Sequence, residues 1–281
     1  MSIHLSKRLE TICSLVTPGN RAVDVGCDHA HVPIRLLQDG ICERAYGYDV
    51  AEGPLGIART NLELSGLLEK CELRKSDGLE KYKKGEADTL IIAGMGGMLL
   101  RSLLEKDIDK VLDFKEIIVG PHREPWQVRE FLYEEGIGIR TERLVEEDGK
   151  FYPVIRALPG KAAIRPDWEV LSESLREKEL RGEEAGNREK VLPLLADQNF
   201  RLYAETTYGP ALLRDYFTVG EKTLDRYLMQ VLSKDIGVYE ALLQKEQESS
   251  HAGSRMEELR GEIGMVQALV FLHHVLTVEI T

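Results

Sequence analysis

The stretch AVDVGCDHAHVP, residues 22–33, decides the fold of this chain. Ala22–Val25 is a short strand pattern that runs into Gly26 and a polar turn. A helical pattern follows at Pro33–Gln38. A glycine between a buried strand and a helix is typical of the first turn of a nucleotide-binding sheet, where the ligand lies over the carboxyl end of the strand.

The same alternation of strand and helix patterns recurs through the first 160 residues. A second glycine-rich turn, AGMGG at residues 93–97, ends the apolar strand Thr89–Ala93. Ile137–Val145 and Phe151–Ala157 come without a helix between them and should pair as an antiparallel hairpin. The other predicted strands are Ala45–Tyr48, Cys71–Lys75 and Ile117–Val119. These patterns predict a Rossmann-like α/β fold with a seven-stranded sheet, mostly parallel with one reversed strand.

The composition changes after Pro159, which divides the chain into parts. Residues 172–190 are highly charged, and from Tyr208 onward apolar residues recur at helical spacing close to a heptad rhythm. We therefore expect an α/β domain that holds the site at 1–160, a charged connector at 161–207, and a helical hairpin of coiled-coil character at 208–281.

Composition and charge narrow the class of protein. The N-terminus lacks the apolar core of a secretory signal and no apolar run reaches the roughly 18 residues of a membrane helix, so a cytoplasmic protein without membrane contact is expected. The four cysteines form no CxxC pair, which indicates free thiols and no structural metal. A net charge of −11 argues against a general nucleic-acid binder and leaves room only for a local basic patch.

The acidic strand ends point to a cofactor without phosphate. The first turn has one glycine where a dinucleotide site has GxGxxG, and Asp28 would repel a pyrophosphate, so NAD and FAD are disfavoured. S-adenosylmethionine carries a cationic sulfonium and an ammonium group, which carboxylates tolerate. Acids stand at the ends of the first three strands: Asp24, Asp28, Asp49 and Asp77. The sequence therefore predicts S-adenosylmethionine as the cofactor.

Each turn can be given a role in holding this cofactor. Asp49 is predicted to accept hydrogen bonds from the ribose hydroxyls, and Asp77, beside Gly78, from the adenine amino group. Both acids could instead only end strands or cap helices. The second turn leaves room for a methyl acceptor, although its glycines could serve packing alone. The predicted cofactor contacts are Asp24, Gly26, Asp28, Asp49, Asp77, Gly78, Gly94 and Met95.

These motifs together resemble the bacterial TrmK family of tRNA (adenine-22-N1)-methyltransferases. The resemblance is carried by LSKRL at 5–9, DVGxDHAxxP at 24–33, DGLE at 77–80, AGMGG at 93–97 and EEDGK at 146–150. It is close over about 3–160 and looser into the hairpin. It implies a Rossmann-like class I methyltransferase with a C-terminal α-helical coiled-coil domain, which uses S-adenosylmethionine to methylate N1 of an adenine in tRNA.

The chain departs from the family pattern at several positions. Cys27 stands where the family usually has Ser, His31 where it has Tyr, and Asp49 where it has Glu. The loop that the family writes as Gln-Pro-Asn is Gly120-Pro121-His122 in this chain. The resemblance places that loop opposite the substrate base. The predicted substrate contacts are therefore Gly96, Gly97, Pro121, His122 and Arg123.

The expected chemistry is a direct displacement. Adenine N1 has a lone pair that can attack the sulfonium methyl, so much of the catalysis can come from positioning. Asp28 is predicted to orient the base through its amino group or to stabilise the cationic product, and His29 is predicted either to assist it or only to donate a supporting hydrogen bond. N1 lies on the Watson–Crick edge, so the base must be exposed or flipped first. The hairpin is either a second tRNA contact or a stabilising appendage.

Two other classes of function remain open from the residues alone. The chain could methylate another RNA, a protein or a small molecule, which the acidic net charge slightly favours. It could also be a non-catalytic RNA-binding protein on a methyltransferase fold. A nicotinamide oxidoreductase is disfavoured by the missing GxGxxG. The chain is expected to be a monomer.

Overall fold

The computed structural model describes residues 4–220, 222–245 and 252–277. The chain divides into two compact units, Met1–Ile164 and Arg165–Thr281. The α/β domain was predicted for residues 1–160, and the first unit ends at Ile164. The boundary falls just after the last strand, where the sequence pattern changes.

The first unit is built on one seven-stranded sheet, as predicted. Its strands are β1 Ala22–Val25, β2 Ala45–Asp49, β3 Cys71–Lys75, β4 Thr89–Ala93, β5 Glu116–Gly120, β6 Ile137–Glu147 and β7 Lys150–Pro159. The strand order is β3-β2-β1-β4-β5-β7-β6. Only β7 is reversed, because it pairs antiparallel with both β5 and β6. The Rossmann-like fold predicted from the sequence is confirmed.

Helices connect the parallel strands of this unit. They are α1 Lys7–Leu15, α2 His31–Gln38, α3 Glu52–Leu64, α4 Gly97–Lys106, α5 Ile108–Val111 and α6 Pro125–Glu134, with a short 3-10 turn at Leu68–Lys70. The sequence predicted the helix after β1 at Pro33–Gln38, and the structure begins it two residues earlier, at His31. Helix starts are hard to read from apolar spacing, because the first turn carries loop and capping residues.

The strand order fixes the place of the site. β1 lies between β2 and β4, so the chain progresses along the sheet in opposite directions on its two sides. Ligands bind at such a switch point, outside the carboxyl ends of the strands. β1 and β4 are buried along their length, as strands covered by helices on both faces must be. The loops after β1, β2, β4 and β5 therefore meet at one edge of the sheet.

The second unit is entirely helical within the described residues. Its helices are α7 Trp168–Glu177, α8 Glu183–Ala196, α9 Gln198–Tyr208, α10 Pro210–Val219, α11 Lys222–Lys245 and α12 Ala252–Thr277. The segment 161–207, expected as a charged connector, is mostly the three helices α7–α9 and belongs to this unit. Because this segment is highly charged, the spacing of its apolar residues is hard to recognise in the sequence. Leu175, Leu195 and Phe200 are among the buried side chains that anchor the three helices.

The predicted helical hairpin corresponds to α11 and α12, which pack against each other. Leu224 and Leu228 of α11 and Leu259 and Val266 of α12 are buried, as the apolar spacing indicates. Residues 246–251 and 278–281, which the prediction included in the hairpin domain, lie outside the described residues. None of the described helices has both the length and the apolar character needed to cross a bilayer.

Candidate active site

The turn after β1 is held tightly against β2. The amides of Gly26 and Cys27 both donate to the carbonyl oxygen of Tyr48, at 2.8 and 3.0 Å. Three residues of the turn adopt the left-handed conformation: Gly26 (φ 75°), Asp28 (φ 48°) and Ala30 (φ 59°). Such a conformation is strained for alanine and tolerated by aspartate. The chain thereby turns sharply at the end of β1.

Asp49 and Asp28 are joined across the ends of β1 and β2. The Asp49 carboxylate accepts hydrogen bonds from the amide of Asp28 at 3.2 Å and from that of Ala51 at 2.9 Å. The Asp28 side chain is 68% exposed, and its Oδ1 lies 3.5 Å from Nε2 of His29. The structure thus brings together the two residues predicted as catalytic with the one predicted to bind the ribose.

Asp24 is buried beneath this pair. Burial, followed by the nearby charges of Asp49 and Asp28, raises the pKa of its carboxyl from 3.8 to about 7. Three carboxyl groups therefore converge on one small region. Such a cluster is costly while it lacks a cation, and a positively charged ligand would relieve the repulsion.

Of the other side chains near the first turn, Cys27 is excluded as a nucleophile and His31 has a supporting role. Burial raises the pKa of the Cys27 thiol, so it is not a thiolate nucleophile. The rings of His29 and His31 meet edge to face at 5.7 Å, and burial together with His29 lowers the pKa of His31. Asn61 of α3 donates to the carbonyl oxygen of His29 at 3.0 Å, which fixes the backbone of the turn.

The turn after β4 lies directly against the first turn. A Cβ placed on Gly26 would come within 2.3 Å of the Met95 methyl carbon, so the Met95 side chain reaches across from β4 to β1. Gly94 has φ 82° and adopts the left-handed conformation that glycine allows. The structure therefore brings the predicted residues Gly26, Gly94 and Met95 together.

The loop after β5 closes the other side of the second turn. The amide of His122 donates to the carbonyl oxygen of Met95 at 2.8 Å, and the amide of Gly97 donates to that of Arg123 at 2.8 Å. A Cβ on Gly97 would stand 2.0 Å from the carbonyl oxygen of Glu124. Only glycine permits this approach of two backbones. Of the other predicted substrate contacts, Gly96 caps α4 and Pro121 is buried beside this loop.

His122 belongs to a cluster that the sequence did not indicate. Its ring meets that of Tyr152 at 5.6 Å, and the guanidinium of Arg8 lies 4.9 Å from the centre of the same tyrosine ring. Burial, and then the charges of Arg8 and Arg123, lower the pKa of His122, which favours a neutral imidazole. Its Nε2 is buried and has no hydrogen-bond partner among the described residues. Arg8 stands in the LSKRL motif, but no local pattern links it to residues 122 and 152.

Asp77 stands apart from the acidic cluster. Its carboxylate, 57% exposed after β3, accepts a 2.6 Å hydrogen bond from Nζ of Lys106. Gly78 is buried with φ 58°, and a Cβ there would come within 3.1 Å of Leu103. Both lie at the predicted edge, but Asp77 already has a cationic partner. Among the described residues, no group of three His, Cys, Asp or Glu side chains is placed to hold a metal ion.

Comparisons with known proteins agree with this architecture. A family model described as "Methyltransferase domain" matches residues 5–155. A Bacillus subtilis tRNA (adenine(22)-N(1))-methyltransferase is 38% identical over 158 residues, which are 56% of this chain and 66% of that enzyme. The crystal structure of the B. subtilis M1A22 tRNA methyltransferase TrmK superposes with a TM-score of 0.72 at 27% identity, covering 96% of this chain and all of the other. The chain belongs to the methyltransferase domain family, in its TrmK branch.

The resemblance read from the sequence motifs is thereby confirmed. A second TrmK-like structure, Streptococcus pneumoniae Sp1610 in complex with S-adenosyl-L-methionine, has a TM-score of 0.66 at 25% identity and covers 95% of this chain. The sequence alignment with the curated B. subtilis enzyme spans just under two thirds of that enzyme's length. Both TrmK-like structures align over the helical unit as well as the sheet, since they cover nearly the whole chain.

In this TrmK family member, the site has two dissimilar sides. The ends of β1 and β2 present carboxylates, and the ends of β4 and β5 present glycine backbone, a neutral histidine and one exposed arginine. The acidic side is suited to a cationic nucleoside. The open side leaves space for an acceptor to approach that ligand.

Proposed function

We propose that this chain transfers a methyl group from S-adenosylmethionine to N1 of an adenine in tRNA, at position 22 as in its named B. subtilis relative. The observation that carries the proposal is the convergence of Asp24, Asp28 and Asp49 beside the glycine turn at residues 94–97. These carboxyl groups, of which Asp24 is buried and Asp28 is exposed, lie beside a backbone-lined gap and fit a cationic cofactor and a flat acceptor. They do not fit a pyrophosphate.

The residues of the first turn fit this cofactor. When bound, S-adenosylmethionine supplies an activated methyl group on a cationic sulfur. Asp49 is already oriented by two backbone amides, so its remaining lone pairs can accept from the ribose hydroxyls without a cost of reorganisation. Asp24 and Asp28 supply negative charge. We also assign Gly26, Gly78, Gly94 and Met95 to the cofactor side, and Asp77 to its adenine if Lys106 releases or shares the carboxylate.

Asp28 is the group that we assign to catalysis. Its carboxylate projects from the turn into solvent with 68% exposure, so it is accessible to an acceptor base. It can accept a hydrogen bond from the adenine amino group and stabilise the positive charge that the base acquires on methylation. His29, 3.5 Å away, can hold the rotamer of Asp28. No covalent step is needed, and the buried Cys27 thiol takes no part.

We propose further that the helical unit offers a second contact surface for tRNA. A truncated chain of residues 1–164 follows the unit boundary and should keep its affinity for the cofactor. Its affinity for tRNA should fall, because folded RNA is recognised through extended shape and backbone contacts. Circular dichroism and calorimetry with S-adenosylhomocysteine establish that the truncated chain is folded. Unchanged tRNA binding by a folded truncated chain would remove the helical unit from recognition.

The decisive test is nucleoside mass spectrometry of tRNA incubated with the protein and methyl-labelled S-adenosylmethionine. We expect labelled 1-methyladenosine, and its loss when adenine 22 of the transcript is replaced by guanine. Label in another nucleoside, in protein or in a small molecule would instead support a methyltransferase with a different substrate. Absence of cofactor binding in calorimetry would support a non-catalytic protein on this fold.

A further inference from the structure

Helices α4 and α6 begin side by side at the open edge of the site. The amide of Gly97 donates to the carbonyl oxygen of Arg123, and the Gly97 backbone lies against that of Glu124. The two helices also pack together along their length. Their first turns therefore form one continuous rim next to the glycine turn after β4.

This rim exposes large apolar side chains. Met98, the second residue of α4, is 63% exposed, and Trp126, the second residue of α6, is 40% exposed. The chain has two tryptophans, and the other, Trp168, is buried with its Nε1 bound to Glu205. An exposed tryptophan beside a substrate gap leaves a large apolar surface in contact with water. A stacking partner would cover that surface.

The rim also carries a cation, Arg123, for which the described part of the chain provides no acidic partner. Other basic side chains of α4 and α6 are engaged: Arg101 binds Glu105 and Glu134, and Lys106 binds Asp77. Arg129 is buried with Glu142. Arg123 is exposed and, within the described residues, forms no ion pair. In a chain of net charge −11, an unpaired guanidinium at the site is available to a phosphate.

We propose that this rim binds the RNA strand next to the target adenine, with the Trp126 indole stacked on a neighbouring base and the Arg123 guanidinium paired with a phosphate. The inference rests on the proposed function. A base that presents its Watson–Crick edge to the cofactor must leave its stack, so its neighbour loses a stacking partner. An exposed aromatic side chain can replace that partner for any base, and it lies where the acceptor must enter.

The first test compares Trp126→Ala with a matched control on the same helix. Tyr133→Ala removes an aromatic ring of 55% exposure two turns further along α6, about 10 Å from Trp126 by helix geometry. Trp126→Ala should raise KM for tRNA about tenfold, the effect of losing one stacked base, with KM for S-adenosylmethionine unchanged. Trp126→Phe should restore most of the wild-type KM because it keeps a stacking face. Tyr133→Ala should behave as wild type.

Fluorescence gives a readout that a structural role would not produce. Stacking on a base quenches indole emission, so wild-type protein titrated with unmodified tRNA should lose a component of its emission. That component should be absent in Trp126→Phe, which keeps Trp168. Arg123→Gln should weaken tRNA binding and reduce the slope of log affinity against log salt by about one. The charge control is Lys70→Gln, in the 3-10 turn just before the edge strand β3, and it should change neither quantity.

Equal quenching in wild type and Trp126→Phe, or wild-type tRNA affinity in Trp126→Ala, would overturn the proposal. Wild-type tRNA affinity in Trp126→Ala would instead indicate that the apolar rim binds a protein partner. These outcomes are separate from failure of the proposed function. If wild type does not methylate tRNA but its Trp126-dependent quenching persists, the RNA contact stands and the assigned reaction fails.

Discussion

The two halves of the sheet edge differ in how the chain prepares them for a ligand. At the ends of β1 and β2 three carboxyl groups repel one another: Asp24 is buried, and Asp28 and Asp49 belong to turns fixed by backbone hydrogen bonds. The ends of β4 and β5 are lined by glycine, and the backbone of Gly97 lies directly against that of Glu124. One half supplies fixed charge and the other supplies space. In the proposed function, the charged half takes the cofactor and the open half takes the acceptor.

The largest expected effect comes from Asp28, the carboxylate that we assign to catalysis. Asp28→Asn keeps the side-chain size and a residue type that tolerates the left-handed backbone of the turn. Turnover on tRNA should fall about a hundredfold or more, because the charge facing the methylated base is lost. Cofactor affinity should change only slightly. Steady-state methylation and calorimetry measure the two effects.

Asp39→Asn is the control, because Asp39 is an exposed carboxylate paired with Arg35 at the end of α2. It should leave both measurements unchanged. Near wild-type turnover in Asp28→Asn would reject the catalytic assignment of Asp28 and would make the acidic half a cofactor site alone.

The acidic half is tested by Asp49→Asn. The carboxylate accepts from the amides of Asp28 and Ala51, and an amide in its place offers one oxygen and a repelling N–H group. Cofactor affinity should fall about tenfold or more, since hydrogen bonds to charged groups are the stronger class. KM for tRNA should remain close to wild type. A selective loss of tRNA affinity would contradict the division of the site into two halves.

The open half is tested by Gly97→Ala. The added Cβ would lie 2.0 Å from the Glu124 carbonyl oxygen, so the loop after β5 must shift. We expect a loss of about 1–3 kcal/mol in the free energy of unfolding, the usual cost of overpacking, and lower turnover. Gly96→Ser is the matched control, because a Cβ there meets open space and serine suits an N-cap. Equal stability of the two variants in urea denaturation would contradict the close approach of the backbones.

The smallest effect is a pH dependence of stability from Asp24. Its pKa is about 7 in the folded chain and near 3.8 when unfolded, so the folded state holds the proton more tightly. Stability should fall as pH rises from about 4 to 7 and level off above that range. Asp24→Asn removes this term and should be more stable than wild type at pH 8, by on the order of 1–3 kcal/mol. The gain should vanish near pH 4.5. Urea titrations at both pH values measure it, and a gain of equal size at both would contradict the buried charge.

Much of the fold could be predicted because its signals are local. The apolar run of β4 was located to the residue, and the hairpin of β6 and β7 followed from two strand patterns joined by a short turn. The acidic strand ends predicted Asp24, Asp28 and Asp49 as neighbours because parallel strands end at one edge. The structure brings these three together for that reason.

The remaining features depend on contacts between distant residues. The pairing of Asp77 with Lys106 and the packing of His122 with Tyr152 join elements that no periodicity relates. The helices of 168–208 were not predicted because many charged residues interrupt their apolar spacing. Trp126 gave no sequence signal, since its exposure is known only once α6 is placed against α4.

The most direct test of the account is a crystal structure of this protein with S-adenosylhomocysteine. We expect the ribose hydroxyls on the Asp49 carboxylate and the sulfur between the turns that follow β1 and β4. The Met95 side chain should have left its position over Gly26. Ligand density away from this edge of the sheet, or Met95 still covering Gly26 in the complex, would contradict the assignment of the acidic half to the cofactor.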